Sequence, residues 1–227
     1  ETVVFEGNVK RGPDENSGYY DSIDIAPFLK EGENSICALV WFWDDETSYS
    51  YNSSGQGGFI FETINDDITI ISDQSWKVNK HSAYGDSILY KPNYRLPEHS
   101  IYYDAREDIG DWTNEAYDVS SWENATEYAI GGEGAYGKLY PRGIPMLKDY
   151  GLKDYDNSNI YENYTVSNIF GKKITVDIPY NAQVTTYLKV IAPAGKKIRI
   201  TTENTLIGAV STTYITKEGK QEFESLG

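Results

Sequence analysis

The residues in this sequence best suited to chemistry are aromatic rings set beside carboxylates and amides. Trp41, Trp43, Tyr49 and Tyr51 stand at the end of an apolar run and in the polar stretch after it, next to Asp44, Asp45 and Asn52. Flat aromatic faces stack on pyranose rings, while carboxylates and amides fix the surrounding hydroxyls, so this group has the composition of a carbohydrate platform. In an extended chain Trp41 and Trp43 share one face, and Ala38, Val40 and Phe42 share the other. If the second face is core, both tryptophans look outward and form a substrate-binding group with Tyr51 and Asp45. The alternative is that they are covered, by a second layer or by the segment around Trp112.

Other chemistries find less support. Glycoside hydrolysis needs two carboxyl groups flanking one bond, one of them with a raised pKa. With 35 acidic residues in the chain, adjacent pairs are unavoidable, and solvated turns account for Asp44-Asp45-Glu46 and Asp66-Asp67. No catalytic residue is assigned. His81 and His99 lie in loop-like sequence without metal-ligand spacing around them, and no metal ligand is assigned either. The run Asp154-Tyr155-Asp156-Asn157-Ser158-Asn159 places oxygen groups at alternate positions and can hold a structural Ca²⁺. It lacks the glycine and terminal glutamate of a helix-loop-helix calcium loop. No other cofactor is expected.

The formal net charge of −15 repels phosphate backbones, and no Lys/Arg run exceeds a pair, which excludes nucleic acid as a partner class. No apolar run approaches transmembrane length, so membrane insertion is not expected, and no signal peptide stands at Glu1. Twenty Tyr and 20 Gly against one Met favour sheet and turns over packed helices. The lone Cys37 forms no internal disulfide, and within Ile36 to Phe42 it reads as a buried small hydrophobe.

These residues need elements to position them. Thr2 to Phe5 reads as a strand, and Tyr20 to Ile25 alternates as a half-buried one. Pro27 fits the first position of a short helical turn, with Phe28 and Leu29 packed inward and Gly32 as its left-handed stop. Ile36 to Trp43 is a nearly continuous apolar strand, suited to a sandwich centre. Gly58 to Thr63 returns, Asp66-Asp67 turns, and Ile68 to Ile71 leads to Trp76. From Tyr102 to Ala125 runs a polar, irregular segment anchored by Trp112 and Trp122. Asp104 and Arg106, two apart, are spaced to pair on one face. Helix is expected only as short turns near Pro27 and Ser120. In the second half, Lys173 to Ile178, Thr185 to Ile191 and Lys197 to Glu203 alternate as strands. Hairpin turns are expected at Ala192-Pro193-Ala194-Gly195-Lys196 and at Glu218-Gly219.

Several of these motifs, in order, resemble the N-terminal region of bacterial α-L-rhamnosidases. They are Tyr103-Asp104-Ala105-Arg106, then Gly110-Asp111-Trp112, then Asp118-Val119-Ser120-Ser121-Trp122. Asp73-Gln74-Ser75-Trp76-Lys77 resembles a strand end of galactose-binding-like jelly rolls, in which the tryptophan packs into the sandwich. Tyr140-Pro141-Arg142-Gly143-Ile144-Pro145 resembles the linker into a second sandwich, and the segments around Ala192 to Gly195 and Tyr214 to Phe223 follow in the family's order. The resemblance implies an all-β chain: a galactose-binding-like jelly roll over residues 1–130, a linker over 131–145, and a second β-sandwich over 146–227. It implies opening strands before Glu1 and a helical toroid after Gly227, which carries the general acid and base of these enzymes. No residue here inherits those roles. The expected partners are carbohydrate and the catalytic domain of the same polypeptide, and the expected setting is periplasmic or extracellular. The alternatives left open are a free-standing carbohydrate-binding module and a structural adhesion-type sandwich.

Overall fold

A computed structural model describes residues 13–14, 17–42, 57–65, 67–85, 100–128, 137–145, 148, 150–160, 173–178, 180, 184–201 and 211–225. The strands, in chain order, are β1 (Ser17–Tyr20), β2 (Lys77–Val78), β3 (Tyr84–Gly85), β4 (Ile101–Asp104), β5 (Glu123–Asn124), β6 (Lys138–Pro141), β7 (Tyr187–Ala192), β8 (Lys197–Thr201), β9 (Ser211–Ile215) and β10 (Gly219–Glu224). Among the described residues there is no α-helix. Their helical content is the three single 3₁₀ turns Ala26–Phe28, Ala105–Glu107 and Ser158–Ile160. The expectation of a β-rich chain with short helical turns therefore holds. The turn at Pro27 is found, the one near Ser120 is a single non-helical turn closed by Trp122 N–H on the Val119 carbonyl, and those at Ala105 and Ser158 were not anticipated.

The main sheet has four strands in the order β3-β4-β9-β8. Its centre is a parallel pairing of β4 with β9 that sets Tyr103 opposite Tyr214, between segments more than a hundred residues apart in sequence. Every residue of β9 is buried. Its first three residues are hydroxyl-bearing, so burial requires that the hydroxyls be paired. Ser211 donates to the Ser100 hydroxyl at 3.2 Å, and Thr186 donates to the Thr212 hydroxyl at the same distance. A second, antiparallel pair, β7 with β10, supplies Leu188 and Phe223 to the core formed by Ala83, Tyr103, Ala105 and Tyr214. The Tyr103 and Tyr214 rings stack with centroids 5.7 Å apart, and Phe223 lies 4.6 Å from Tyr103 and 4.9 Å from Tyr214.

The two turns expected as hairpins are in the predicted places but join different sheets. β7 and β8 flank the Ala194-Gly195 turn, yet β7 pairs with β10 and β8 with β9. The connections are arches between layers, because each flanking strand finds its ladder partner in the other arch. Two buried polar side chains lock them. Thr216, wholly buried, donates to the Pro193 carbonyl at 2.7 Å and accepts from Lys196 N–H at 2.9 Å, tying the arches together. Gln221 donates to the Lys217 and Gly219 carbonyls and accepts from Lys217 N–H and the Tyr214 hydroxyl, so its whole amide is used. Gly195 and Gly219 sit at φ +79 and +89, where a side chain is strained.

In the first half, β1 pairs in parallel with β6, and the strand expected over Tyr20 to Ile25 ends at Tyr20. Just past this pair, Arg142 of the Tyr-Pro-Arg motif grips Asp21 with Nε and a terminal nitrogen, both at 2.6 Å. Both side chains are largely buried. The Pro27 turn is set by Asp24, which accepts from Ala26 N–H, and closed by Asn34, whose amide bonds the Lys30 and Gly32 carbonyls and Lys30 N–H. Gly32 takes φ +96, the left-handed stop that was expected. Trp76 packs on Phe59 and Phe61 at 5.7 and 5.9 Å and donates its indole N–H to the Ile71 carbonyl.

Three readings are corrected. Phe28 and Leu29 are 50% and 46% exposed rather than packed inward, because the turn carries them on its outer side. Residues 36–42 form neither a strand nor a buried centre. They have no ladder partner among the described residues, and Leu39, Val40, Trp41 and Phe42 remain half exposed, as does Cys37. Residues 173–178 alternate in sequence but form no ladder among the described residues; Asn157 bonds the Thr175 carbonyl and Asp177. The strand at Thr2 to Phe5, the turn at Asp66 and the glycines 131–134 lie outside the described residues.

Tyr214 sits at the centre of this packing, so Tyr214→Ala is expected to cost about 3–5 kcal/mol of stability in urea unfolding. Tyr214→Phe keeps the ring and is expected to lose only about 1 kcal/mol, for the hydrogen bond to Gln221. Equal losses in the two variants would show that the ring stack is not what holds the seam.

Candidate functional site

Of the four residues expected to bind a ligand, Trp41 is described, and Trp43, Asp45 and Tyr51 lie outside the described residues. Trp41 is 37% exposed and Val40, expected on the opposite and buried face, is 46% exposed. The two faces of this segment therefore do not divide into core and surface. Phe42 is the residue with defined cover, since a Cβ built on Gly57 would stand 2.8 Å from the Phe42 Cβ. That close approach explains a glycine where the returning segment crosses. Phe59 and Ile60, on the returning segment, are also about as exposed as Trp41, so aromatic and aliphatic surface is available near this rim.

The segment from Tyr102 to Ala125 is pinned as its tryptophans predict, with the rings packed largely on one another. Trp112 and Trp122 lie 6.5 Å apart, Tyr117 meets Trp122 edge-on at 5.9 Å, and the Tyr117 hydroxyl donates to the Ile109 carbonyl. Asp108, Asn114 and Asp118 each accept from the N–H two residues on, which is how this chemistry builds successive turns. At its head, Asp104 and Arg106 pair in the forked geometry their spacing suggests, at 2.9 and 2.7 Å. The backbone between them is a 3₁₀ turn rather than extended, and Asp104 caps it by accepting from Arg106 N–H. The Arg106 guanidinium, bonded to both carboxylate oxygens, holds Asp104 below its ordinary pKa. Arg106 also lies against the Gly195 turn of the β7–β8 arch. These contacts spend the charges of both residues on structure.

A second polar group beside the core was not legible in the sequence. Lys217 donates to Asp108 at 3.2 Å, across a separation of 109 residues. Burial pushes Asp108 up, but Gly110 N–H, Lys217 and the Tyr103 hydroxyl together hold it below its ordinary value. Burial and the nearby Asp108 raise Tyr103 and Tyr84, so both hydroxyls stay neutral. The Asp21–Arg142 pair was missed for the same reason, since nothing local marks partners so far apart.

The candidate calcium run folds as a turn. Asp156 N–H bonds the Asp177 carbonyl and Asn157 uses its amide on Thr175 and Asp177, which commits that oxygen to the protein. Among the described residues no three His, Cys, Asp or Glu side chains gather in a metal-ligand group. Among them too, no helix is long and apolar enough to cross a membrane.

A β-rich chain with an aromatic-pinned loop closing a strand, and a second pair of strands docked on the same core, is the class of protein that fold and site define. Residues 15–135 match the family model described as the α-L-rhamnosidase N-terminal domain. The match covers more than half of the chain, and the chain belongs to this family. An α-L-rhamnosidase of Formosa agariphila (strain DSM 15362 / KCTC 12365 / LMG 23005 / KMM 3901 / M-2Alg 35-1) is 24% identical over 155 residues, which is 65% of this chain and 15% of that protein. The chain thus spans a small part of that relative's length. No solved structure gives a significant match.

The Asp104–Arg106 fork gives a pH-dependent prediction. The folded-state pKa of Asp104 is depressed, so its stabilisation is present above the ordinary 3.8 and is lost as pH falls through the lower folded value. Asp104→Asn is expected to cost about 1–2 kcal/mol near neutral pH, allowing for the half-exposed guanidinium, and to shrink the difference from the parent chain in acid. Urea unfolding of both chains across that range checks it; a constant difference would refute the ionic account.

Proposed function

We propose that this chain is the non-catalytic N-terminal region of an α-L-rhamnosidase-type glycoside hydrolase that acts on rhamnose-containing glycosides or polysaccharides. The observation that carries the reading is the match of residues 15–135 to the N-terminal domain of that family. In this reading a galactose-binding-like jelly roll occupies about residues 1–130, and a second sandwich over 146–227 shares its core with β3 and β4. The region orients a catalytic domain carried elsewhere in the same polypeptide. Trp41 and Trp43 form a shallow carbohydrate platform with Tyr51 and Asp45. The setting is periplasmic or extracellular, where such glycans are met.

The surface exposure of Trp41 supports the platform. A solitary stacked ring adds only about 1 kcal/mol beyond its buried area, so binding near −4 kcal/mol, roughly millimolar, is expected.

Two measurements test the proposal. Incubated with an aryl α-L-rhamnoside, the 227-residue chain is expected to give no turnover; turnover abolished by a single carboxylate substitution would refute a non-catalytic role. The double variant Trp41→Ala/Trp43→Ala is expected to lose glycan binding, measured by NMR titration, while keeping its thermal transition. A collapsed transition would remove the platform and leave the scaffold.

A further inference from the structure

We propose that His81, Tyr103, Asp108 and Lys217 form an acid-sensitive clasp, which holds the Ile101–Asp108 segment against the C-terminal arches and loosens when the imidazole takes up a proton.

The geometry is that of a histidine built to remain neutral. Its Nδ1 is buried without a hydrogen-bond partner among the described residues. The ring meets Tyr84 edge-on at 4.9 Å and Tyr103 at 6.0 Å, while those two tyrosines meet edge-on at 4.9 Å. Tyr103 in turn stacks on Tyr214 of β9. In neutral imidazole the buried nitrogen can be a bare lone pair, which costs less than burying a charge. In the imidazolium both nitrogens carry N–H in a partly desolvated site, where the His81 backbone and Asp108 offset only part of the cost.

The charged and titratable groups around it, among the described residues, come from each neighbouring element. Tyr84 lies on β3, Tyr103 on β4, Asp108 follows the 3₁₀ turn, Tyr214 lies on β9, and Lys217 stands just past β9. Among the described residues Asp108 is the anion acting on the imidazole, and it favours the proton. It is already bonded to Gly110 N–H and Lys217, and it interacts with the Tyr103 hydroxyl. Desolvation outweighs that attraction and depresses His81 below its ordinary 6.5. A depressed folded-state pKa means that stability is full above 6.5 and is lost as pH falls through the folded value. Asp108, also depressed, adds a separate loss only below its ordinary 3.8. Acidification therefore acts first on His81, and through Tyr103 on the β4–β9 seam.

The chain has two histidines, so His99→Gln leaves one imidazole whose NMR titration reads His81 directly. The expected midpoint lies below 6.5, with the amide signals of Tyr103 and Tyr214 following the same midpoint. Adding Asp108→Asn is expected to lower the midpoint further, since the anion favours the imidazolium. A midpoint at or above 6.5, or no downward shift on Asp108→Asn, would overturn the clasp. Between about pH 8 and 5, where histidine changes charge, the urea midpoint of the parent chain is expected to fall and that of His81→Phe to stay level. Parallel falls would overturn it too, and if His81→Phe does not fold, the titration decides alone.

Discussion

The structure depends on the parallel pairing of Ile101–Asp104 with Ser211–Ile215, which lays Tyr103 on Tyr214. Parallel neighbours cannot be joined by a tight turn, so the intervening chain must leave the sheet and return. The entropic cost of closing so long a loop grows only logarithmically with its length. What the seam must supply is enough local burial to hold the two ends together. Tyr103, Tyr214 and Phe223 supply it in one contiguous aromatic cluster, with Ala83 and Ala105 small enough to let the rings approach. The ladder carries the backbone bonds, and Ser100, Ser211, Thr186 and Thr212 pair the hydroxyls that burial would otherwise strand.

Around this seam, polar side chains act as locks because each is fully paired in a dry place. Gln221 closes one arch, Thr216 joins the two arches, and Asp104 caps the turn that leaves β4 while gripping Arg106. Arg106 reaches the Gly195 turn and Lys217 reaches Asp108, so both ends of the β4 exit loop are tied to the C-terminal arches. The Asp104–Arg106 spacing that resembles a family motif thus has a mechanical content: it fixes where the tryptophan-pinned segment begins.

How much of this was legible follows from the range of each interaction. Local chemistry was readable: the Pro27 turn with Gly32, the Asp104–Arg106 fork, and the turns at Gly195 and Gly219 all depend on neighbours within a few residues. Apolar runs misled. Ile36 to Trp43 reads as a sandwich centre, yet a continuous apolar run states only that burial would be favourable, and over 36–42 no ladder forms among the described residues. Of the central strand β9 only the end, Tyr214 and Ile215 before the Glu218-Gly219 turn, was legible. Ser211-Thr212-Thr213 is polar, and its burial relies on hydroxyl partners contributed by Ser100 and Thr186. The two turns read as hairpins became arches because strand pairing is settled by partners far away, and no turn signal distinguishes the two. Of the expected platform, Trp41 alone is described.

The contrast between the two halves bears on how such a region works. Buried residues cluster in β4, β9 and β10, whereas Leu39, Val40, Phe42, Phe59, Ile60, Ile68 and Ile71 of the first half stay at least a third exposed. Free energies of local opening track buried apolar contact, so the seam is the most cohesive part of the described residues. At the exit from β4, Asp104, Arg106, Asp108 and Lys217 convert the long excursion of the chain into a fixed junction. Burial and ion pairs thus coincide at that junction, which makes it the stiffest of the described parts.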